Sequence, residues 1–350
     1  MANIELKDFS QINLDDPFFG SLKNDYAEFE SWYHNKSLSG EKAYVLYGET
    51  GLTAFLYLKI ENEPITDITP ILPTKRRLKI GTFKIDAHGT KLGERFIKKI
   101  IDNATENEIN EIYVTAFAKH SGLIALLNTF GFDYFGTKKT TNGEEQVYVK
   151  KIGKIRNDIL KDYPIMRADK INKHVLSIYP KYHSRLFPDS ILNNETYDLL
   201  QDISHTNSIH KIYICGMDGV RDFHGGDLIL IYRTNDGQGA AYYRSVITSL
   251  CVIEEVKNIV EFHDIKEYLA YCKPYSIFSD SELRSFYLSR KYPYIIKMTY
   301  NAAFKKRVTN GCLVDKLGIT PNYWGVFRVS DDEFTRIIQE GGVNESLIVY

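Results

Sequence analysis

One short run constrains the fold of this chain more than any other: His88-Gly89-Thr90-Lys91-Leu92-Gly93. It lies between a strand-like run, residues 78–85, and a helix-like run, residues 94–101. In such a turn, the free N–H groups of the loop and of the first helical turn point at one spot, and glycine lets an anion approach the main chain. The pattern therefore predicts a phosphate cradle, although its spacing fits neither G-x-x-x-x-G-K-[ST] nor G-x-G-x-x-G.

Hydrophobic periodicity predicts further elements on both sides of this loop. They are a strand at 4–12, a helix at 25–34, a hairpin of strands 42–47 and 52–60, a strand at 111–117, a helix that ends at Gly131, and a hairpin of strands 133–137 and 146–151. Gly131 suits the position after a helix, where a left-handed backbone is needed. The predicted order for residues 1 to about 152 is β-α-β-β-β-α-β-α-β-β.

The loop resembles the acetyl-coenzyme A pyrophosphate loop of GNAT N-acetyltransferases, [RQ]-x-x-G-x-[GA], with His88, Lys91 and Gly93 at the three specified positions. Residues 123–132 resemble the family's A-x-x-L-Y-x-x-x-G-F segment, with Leu127 in place of the tyrosine. The order of elements is also that of the family. The resemblance covers somewhat under half the chain, and it implies a mixed central sheet with flanking helices that binds acetyl-coenzyme A and acetylates an amine.

The resemblance also implies which residues hold the donor. The backbone amides from Gly89 to Gly93 would bind the pyrophosphate, with the Lys91 side chain as an added phosphate partner, and the preceding strand would lie along the pantetheine. The implied donor-binding residues are Phe83, Ile85, His88, Gly89, Thr90, Lys91, Leu92, Gly93 and Asn128.

Catalysis needs a proton for the leaving thiolate and a base for the amine. Because Leu127 has no hydroxyl, the thiolate proton has several possible sources: His120, Ser121, Tyr113 or Tyr134, or water, and transfer by proximity alone is a further alternative. Asp86 and Glu49 are the nearest plausible carboxylates and the candidate bases, and a water chain to either would suffice. The predicted catalytic set is His120, Asp86 and Tyr134.

The pattern of the second half of the chain predicts a connecting region followed by a strand-rich domain. Residues 153–207 predict helices at 155–161, 169–177 and 194–203, interrupted by prolines. Strands are then predicted at 211–216, 227–233, 240–256, 294–298 and 324–329, and helices at 265–272, 280–288, 301–309 and 331–340. Such spacing suggests a small mixed barrel, so the predicted fold class is α+β, with domains at 1–152 and 208–350.

Gly226-Asp227 before a hydrophobic strand, followed by a returning strand that ends with residues 253–256, resembles PUA-like domains of the ASCH and EVE kind. The resemblance implies binding of RNA or of modified bases. The candidate RNA-binding residues are Tyr275, Phe278, Tyr323 and Trp324 for stacking, and Lys305, Lys306 and Arg307 for phosphates. A barrel core with a solvated charged helix face is the alternative. A third possibility is a hydrolase or base-recognition pocket that contains Tyr323, Trp324 and Lys297.

Composition limits the classes of function. A chain of 350 residues is expected to form two domains, and a formal net charge of −1 gives no global attraction to nucleic acid or acidic membranes. We expect a cytoplasmic protein, because no apolar run approaches the roughly 18 to 20 residues of a membrane span and the N-terminus is polar. The four cysteines lie far apart, so we expect small buried residues and neither a disulfide nor a metal site.

Together these patterns predict an acetyl-coenzyme A-dependent N-acetyltransferase whose acceptor is selected by a PUA-like domain. The acceptor amine is left open between a protein, an aminoacyl-tRNA and a modified nucleoside, with RNA favoured. The alternative is a non-catalytic coenzyme A-binding sensor or RNA-binding module, which the absence of a tyrosine at Leu127 and of a glycine at Lys91 favours.

Overall fold

The structure is a computed structural model that describes residues 4–86, 91–187 and 208–350. The chain divides into two compact units, Met1–Asp162 and Tyr163–Tyr350. Each unit has a β-sheet of its own. The predicted helix at 194–203 lies outside the described residues.

The first unit is built on a seven-stranded sheet. Its strands are β1 (Glu5–Asp8), β2 (Lys42–Gly48), β3 (Gly51–Glu61), β4 (Arg77–Ile85), β5 (Glu111–Phe117), β6 (Asp133–Thr140) and β7 (Gly143–Lys151). They lie in the order β1-β2-β3-β4-β5-β7-β6. All neighbours are antiparallel except β4 and β5, which are parallel.

Helices cover both faces of this sheet. They are α1 (Gly20–Asp25), α2 (Phe29–Leu38), α3 (Leu92–Glu106), α4 (Ser121–Thr129) and α5 (Ile159–Asp162). On one face, Phe29 and Tyr33 of α2 pack with Phe55 of β3 in an aromatic core. On the other face, Phe96 of α3 packs against Phe83 of β4, with ring centroids 6.0 Å apart. The predicted order of elements is confirmed.

Two predicted boundaries in this unit are wrong. The first strand ends at Asp8 rather than at residue 12, because the chain turns at Phe9. The hydroxyl of Tyr33 donates hydrogen bonds to the carbonyls of Phe9 and Ile12, at 3.0 and 2.9 Å, and thereby holds this turn against α2. The helix predicted at 25–34 is instead two helices, α1, which ends at Asp25, and α2, which begins at Phe29.

The second unit has a six-stranded mixed sheet and a small two-stranded one. Its strands are β8 (Met166–Arg167), β9 (Lys173–Ile178), β10 (His210–Cys215), β11 (Leu228–Arg233), β12 (Val246–Asn258), β13 (Tyr294–Thr309), β14 (Val326–Val329) and β15 (Ile348–Val349). The large sheet has the order β10-β13-β12-β11-β9-β14, and β8 pairs with β15. Among the strands that the structure describes, no pairing joins the edges β10 and β14, so the fold is mixed α/β as predicted but shows no closed barrel.

The described part of this unit also contains five α-helices. They are α6 (Pro180–Leu186), α7 (Ala241–Arg244), α8 (Ile265–Cys272), α9 (Asp280–Ser289) and α10 (Asp331–Gly341). Capping boxes open α9 at Ser279 and α10 at Ser330, and α10 is followed by Gly342 in the left-handed region, with φ 61°. The predictions of α8, α9 and α10 are therefore confirmed.

Two predicted helices of this unit are strands. The helix expected at 169–177 is β9, all six residues of which are buried between β11 and β14. The helix expected at 301–309 is the second half of β13, which pairs with β12. Its register skips from Ile247↔Val308 to Ser249↔Ala303, so residues 304–307 form a bulge. The strand predicted at 240–256 begins with α7 and continues as β12.

Candidate functional site

The parallel strands β4 and β5 pair along only a short part of their length. Their ladder comprises Leu78↔Ile112, Lys79↔Tyr113 and Ile80↔Val114. Beyond it, β4 continues to Ile85 on β3 and β5 continues to Phe117 on β7, with no pairing between them in the described chain. We call the gap between residues 81–85 and 115–117 the β4–β5 opening. Among the described strands, two edges without a ladder partner therefore face this gap.

A bulge bends β4 where the opening begins. The register of β3 with β4 shifts between Tyr57 and Leu58, opposite Gly81. A Cβ on Gly81 would lie 2.6 Å from Cδ1 of Tyr57, so only glycine lets this ring lie against the strand. Bulges of this kind bend a strand and end its pairing, and they are common beside active sites.

The opening lies towards the ends of β4 and β5 from which the chain leaves for α3 and α4. Of the predicted phosphate loop, His88, Gly89 and Thr90 lie outside the described residues, and Lys91 precedes α3 with its Nζ 3.5 Å from the Glu94 carboxylate. Leu92 is buried. A Cβ on Gly93 would lie 2.8 Å from Cδ2 of Leu126, so this glycine also permits close packing of α3 on α4.

The predicted pantetheine residues and base lie beside the opening. Phe83 contacts α3, and Ile85 is the last residue of β4. The Asp86 carboxylate lies 3.3 Å from Nζ of Lys84, which also donates to the Phe18 carbonyl. Asp86 is thus a half-exposed carboxylate with a cation beside it.

His120 lies close to a carboxylate, beyond the end of β5. Its Nε2 lies 3.2 Å from Oδ2 of Asp25, and Nζ of Lys119 lies 2.5 Å from Oδ1 of the same carboxylate. The His120 ring is 6.4 Å from that of Phe117, the last residue of β5. Asp25, at the end of α1, is a member of this cluster that the sequence did not indicate.

The other predicted acids are placed less favourably. Tyr134 is 57% exposed on the edge strand β6, where its ring contacts Tyr148, and β7 separates it from β5. Tyr113 is buried, and its hydroxyl donates to Glu61. Leu127 is fully buried, and the carbonyl of Asn128 accepts the N–H of Gly131 at 3.1 Å. His120 is the one member of the predicted catalytic set that lies at the end of β5.

A tyrosine–carboxylate pair beside the opening was not predicted from the sequence. The hydroxyl of Tyr26 donates a hydrogen bond of 2.7 Å to Oε1 of Glu145, which is only 4% exposed. Burial, together with the Glu145 carboxylate, raises the pKa of Tyr26 well above its usual range. These residues are 119 positions apart, so no spacing rule connects them.

In the second unit, the predicted RNA-binding residues are dispersed. Tyr275 and Phe278 are core residues, 6% and 8% exposed, so their rings are not available to stack on a base. Lys305, Lys306 and Arg307 lie in the β13 bulge rather than on a helix, and Lys306 pairs with Glu340. The prediction that the rings of Tyr275 and Phe278 stack on a base is therefore wrong, because both rings are buried.

Two other aromatic residues of the set are accessible. Tyr323 is 62% exposed, and the half-buried Trp324 stacks on Tyr232 of β11, with centroids 5.5 Å apart and planes at 27°. Lys297 instead contacts Glu254, at 2.9 Å, and the Tyr275 ring. The described contacts therefore do not bring Lys297 into one pocket with Tyr323 and Trp324.

The Gly226-Asp227 motif has a structural explanation. The Asp227 carboxylate accepts the backbone N–H of Asn172 at 3.2 Å and that of His224 at 2.9 Å. It thereby ties the chain before β9 to the turn before β11.

Some classes of site can be assessed directly. Within residues 4–86, 91–187 and 208–350, no three His, Cys, Asp or Glu side chains are grouped so that they could bind a metal ion. None of the helices in these ranges combines the length and apolarity needed to cross a membrane. Cys215, Cys251 and Cys272 are buried as predicted, and Cys312 is half-buried.

The comparisons with known proteins found similar solved structures but no matching family. No protein-family model matches the sequence, and no curated protein matches it. Similar solved structures include an IAA acetyltransferase from Bacillus cereus (10% identity, TM-score 0.33, 43% of this chain and 100% of that one). Others are a predicted acetyltransferase with acetyl-CoA from Clostridium acetobutylicum (15%, 0.31, 39% and 92%) and ASCH from Zymomonas mobilis (8%, 0.31, 48% and 94%). TM-scores and identities this low carry no argument about function.

Proposed function

We propose that the first unit transfers an acetyl group from acetyl-coenzyme A to an amine. The observation that carries the proposal is the β4–β5 opening, where a parallel pair separates after three residue pairs. An extended ligand with amide groups can pair with a free strand edge as an added strand does. The pantetheine arm has such amides, and the resemblance to GNAT enzymes implies that it pairs with this strand.

The pyrophosphate would lie at the start of α3. An N-terminal helical turn offers free N–H groups and a partial positive charge, which favour a phosphate. Lys91 adds a cation at this point, and its side chain is 44% exposed. We assign His88, Gly89, Thr90, Leu92 and Gly93 to the same site as a proposal, with Phe83 and Ile85 along the arm.

Calorimetric titration with acetyl-coenzyme A, followed by assays of thiol release in the presence of amines, tests this function. Lys91→Glu is expected to weaken donor binding about tenfold, the equivalent of about 1.4 kcal/mol, because a carboxylate would replace the cation beside the phosphates. Lys42→Glu makes the same charge change on β2, away from the site, and should leave affinity unchanged.

The result also decides between catalysis and sensing. If the protein binds acetyl-coenzyme A but releases no thiol with any pool of amines, the result supports the non-catalytic sensor. Leu127 favours this alternative, because it has no hydroxyl that could protonate the thiolate. If the wild-type protein does not bind acetyl-coenzyme A, the opening has been misinterpreted and the proposal fails.

We propose RNA as the partner of the second unit on a narrower observation, the accessible pair Tyr323 and Trp324. A tryptophan that already stacks on one ring is pre-organised to stack a base on its other face. Trp324→Ala should therefore weaken the binding of a single-stranded RNA, measured by fluorescence anisotropy at fixed salt, about tenfold. Tyr243→Ala removes another exposed tyrosine, 72% accessible, and serves as the control. Equal affinities of the wild type and both variants would remove this second proposal.

A further inference from the structure

We propose that Tyr26 and Glu145 form a proton relay that deprotonates the acceptor amine, which is therefore a basic amine that arrives as a cation. This inference rests on the proposed acetyl transfer. It begins from a hydrogen bond of 2.7 Å between the Tyr26 hydroxyl and Oε1 of Glu145. The two residues come from the α1–α2 connection and from β7.

The pair lies next to the β4–β5 opening. Glu145 is directly opposite Phe117 in the β5–β7 ladder, and opposite residues of an antiparallel pair point to the same face. The Tyr26 ring packs on Phe117 with centroids 5.3 Å apart. Phe117 belongs to the part of β5 that has left β4. A group bound in the opening on this face lies beside Phe117, which contacts the half-buried Tyr26 and is opposite Glu145.

The β6–β7 turn fixes this arrangement. The side-chain amide of Asn142 donates to Glu28 at 2.7 Å, and its oxygen accepts the N–H of Ala27 at 3.2 Å. These bonds connect the turn to the residues that follow Tyr26. A small shift of the turn would change the distance between Tyr26 and Glu145. The hydrogen bonds of Asn142 therefore help to keep the two members of the relay together.

The charges around Glu145 suit a proton acceptor. Among the described residues, no lysine, arginine or histidine nitrogen lies within 4 Å of its carboxylate. Lys138, the residue opposite Glu145 on β6, pairs with Asp67 at 2.7 Å, and Lys119 and His120 contact Asp25. A buried carboxylate without a cation is costly. A cationic substrate would supply the missing charge, and Asp25 and Glu28 nearby have the same sign as Glu145.

The acceptor begins as an ammonium, R–NH₃⁺. One proton passes from nitrogen to Oη of Tyr26 while the phenolic proton passes to Oε1 of Glu145. The neutral nitrogen then bonds to the thioester carbonyl carbon, and the C–S bond breaks with its electron pair on sulfur. A second proton from nitrogen goes to the thiolate. The products are the acetamide, the free thiol of coenzyme A and protonated Glu145, which returns its proton to water through Tyr26.

Tyr26→Phe and Glu145→Gln test the relay, with turnover measured on spermidine and on hydroxylamine, which is largely unprotonated at pH 7. Each variant should lower kcat with spermidine about 10²-fold, a typical value for a general base. The double variant should be no worse than either single one, because a relay fails as a unit. Hydroxylamine should lose much less, because it needs no initial deprotonation. Glu144→Gln changes the exposed neighbouring carboxylate and should have no effect.

Donor titration separates failure of the relay from failure of the proposed function. If all variants bind acetyl-coenzyme A as the wild type does and lose activity equally on both amines, or lose none, the relay is wrong while acetyl transfer stands. Additive losses in the double variant would also exclude it. A wild type that neither binds the donor nor releases thiol would overturn the acetyl transfer, and the relay with it.

Discussion

At the scale of single residues, Lys150 is an amine held where charge is disfavoured. It is 1% exposed on β7, and its Nζ donates to the carbonyls of Phe130 and Lys161 at 2.7 and 3.0 Å. Burial, reinforced by the Arg156 guanidinium, lowers the pKa of Lys150 to about 7, against partial compensation from Asp162 and Asp133. The side chain is therefore close to half-neutral in the native state at neutral pH.

This lowered pKa predicts a dependence of stability on pH. In the unfolded chain Lys150 binds its proton up to pH 10.5, whereas the native state releases it near pH 7. Between these values Lys150 holds more protons in the unfolded state, so its contribution to the free energy of unfolding rises with pH, by up to about 1.4 kcal/mol per unit, and is constant below pH 7.

Lys150→Met should remove this rise, and denaturant unfolding between pH 7 and 10 measures it. Lys151→Met, at the exposed next position of the same strand, is the control and should retain the slope. Identical slopes in the wild type and in Lys150→Met would show that Lys150 titrates normally in the native state.

Some residues could be predicted from the sequence and others could not, for reasons of distance along the chain. Gly131 was predicted because the end of a helix is a local problem, and it has φ 77° as that role requires. The pair of Tyr26 and Glu145 depends on how α1 and β7 approach each other across the fold, which no local pattern records. Likewise, Tyr275 was predicted as a stacking residue, although only the packing of the second unit shows that it is buried.

At the scale of elements, the connection between α4 and β6 depends on Gly131. A Cβ at this position would lie 2.3 Å from the carbonyl oxygen of Lys161. Gly131→Ala should therefore lower the free energy of unfolding by at least about 2 kcal/mol, from both backbone strain and the clash.

Gly40→Ala separates these two causes. Gly40 also has a positive φ, 66°, but nothing lies within 4 Å of its Cβ position. It should cost only about 1 kcal/mol, the price of the left-handed backbone alone. Equal losses at the two glycines in thermal or denaturant unfolding would show that the Lys161 carbonyl yields easily.

Helices with strong local signals were predicted, whereas two segments that were predicted as helices are strands. Helices α9 and α10 carry capping boxes, which are written in the sequence. Residues 169–177 and 301–309 were predicted as helices, because buried strands have no alternating pattern and a short apolar run suits either structure. Pairing with neighbouring strands makes both segments strands. β9 pairs with β11 and β14, and this part of β13 pairs with β12.

At the scale of the whole molecule, each unit has its own sheet and its own hydrophobic core. We expect a protein of residues 1–162 to fold alone and to bind acetyl-coenzyme A with the affinity of the full chain, since every residue proposed for donor binding lies within it. Calorimetric titration of the fragment checks this. A folded fragment, with a cooperative thermal transition, that binds more than tenfold more weakly would show that the second unit contributes to the donor site.

The second unit joins its first strands to its last. β9 pairs with β14, from Lys173↔Val329 to Leu176↔Val326, and β8 pairs with β15 through Ile348↔Met166. Contacts between such distant residues form late and slowly, because a long loop must close before they are made. On the ribosome, the first unit can complete its sheet while β14 and β15 are still unsynthesised. During that interval the edges of β8 and β9 that pair with β15 and β14 are unpaired. The nascent chain is therefore most prone to aggregate through these two strands.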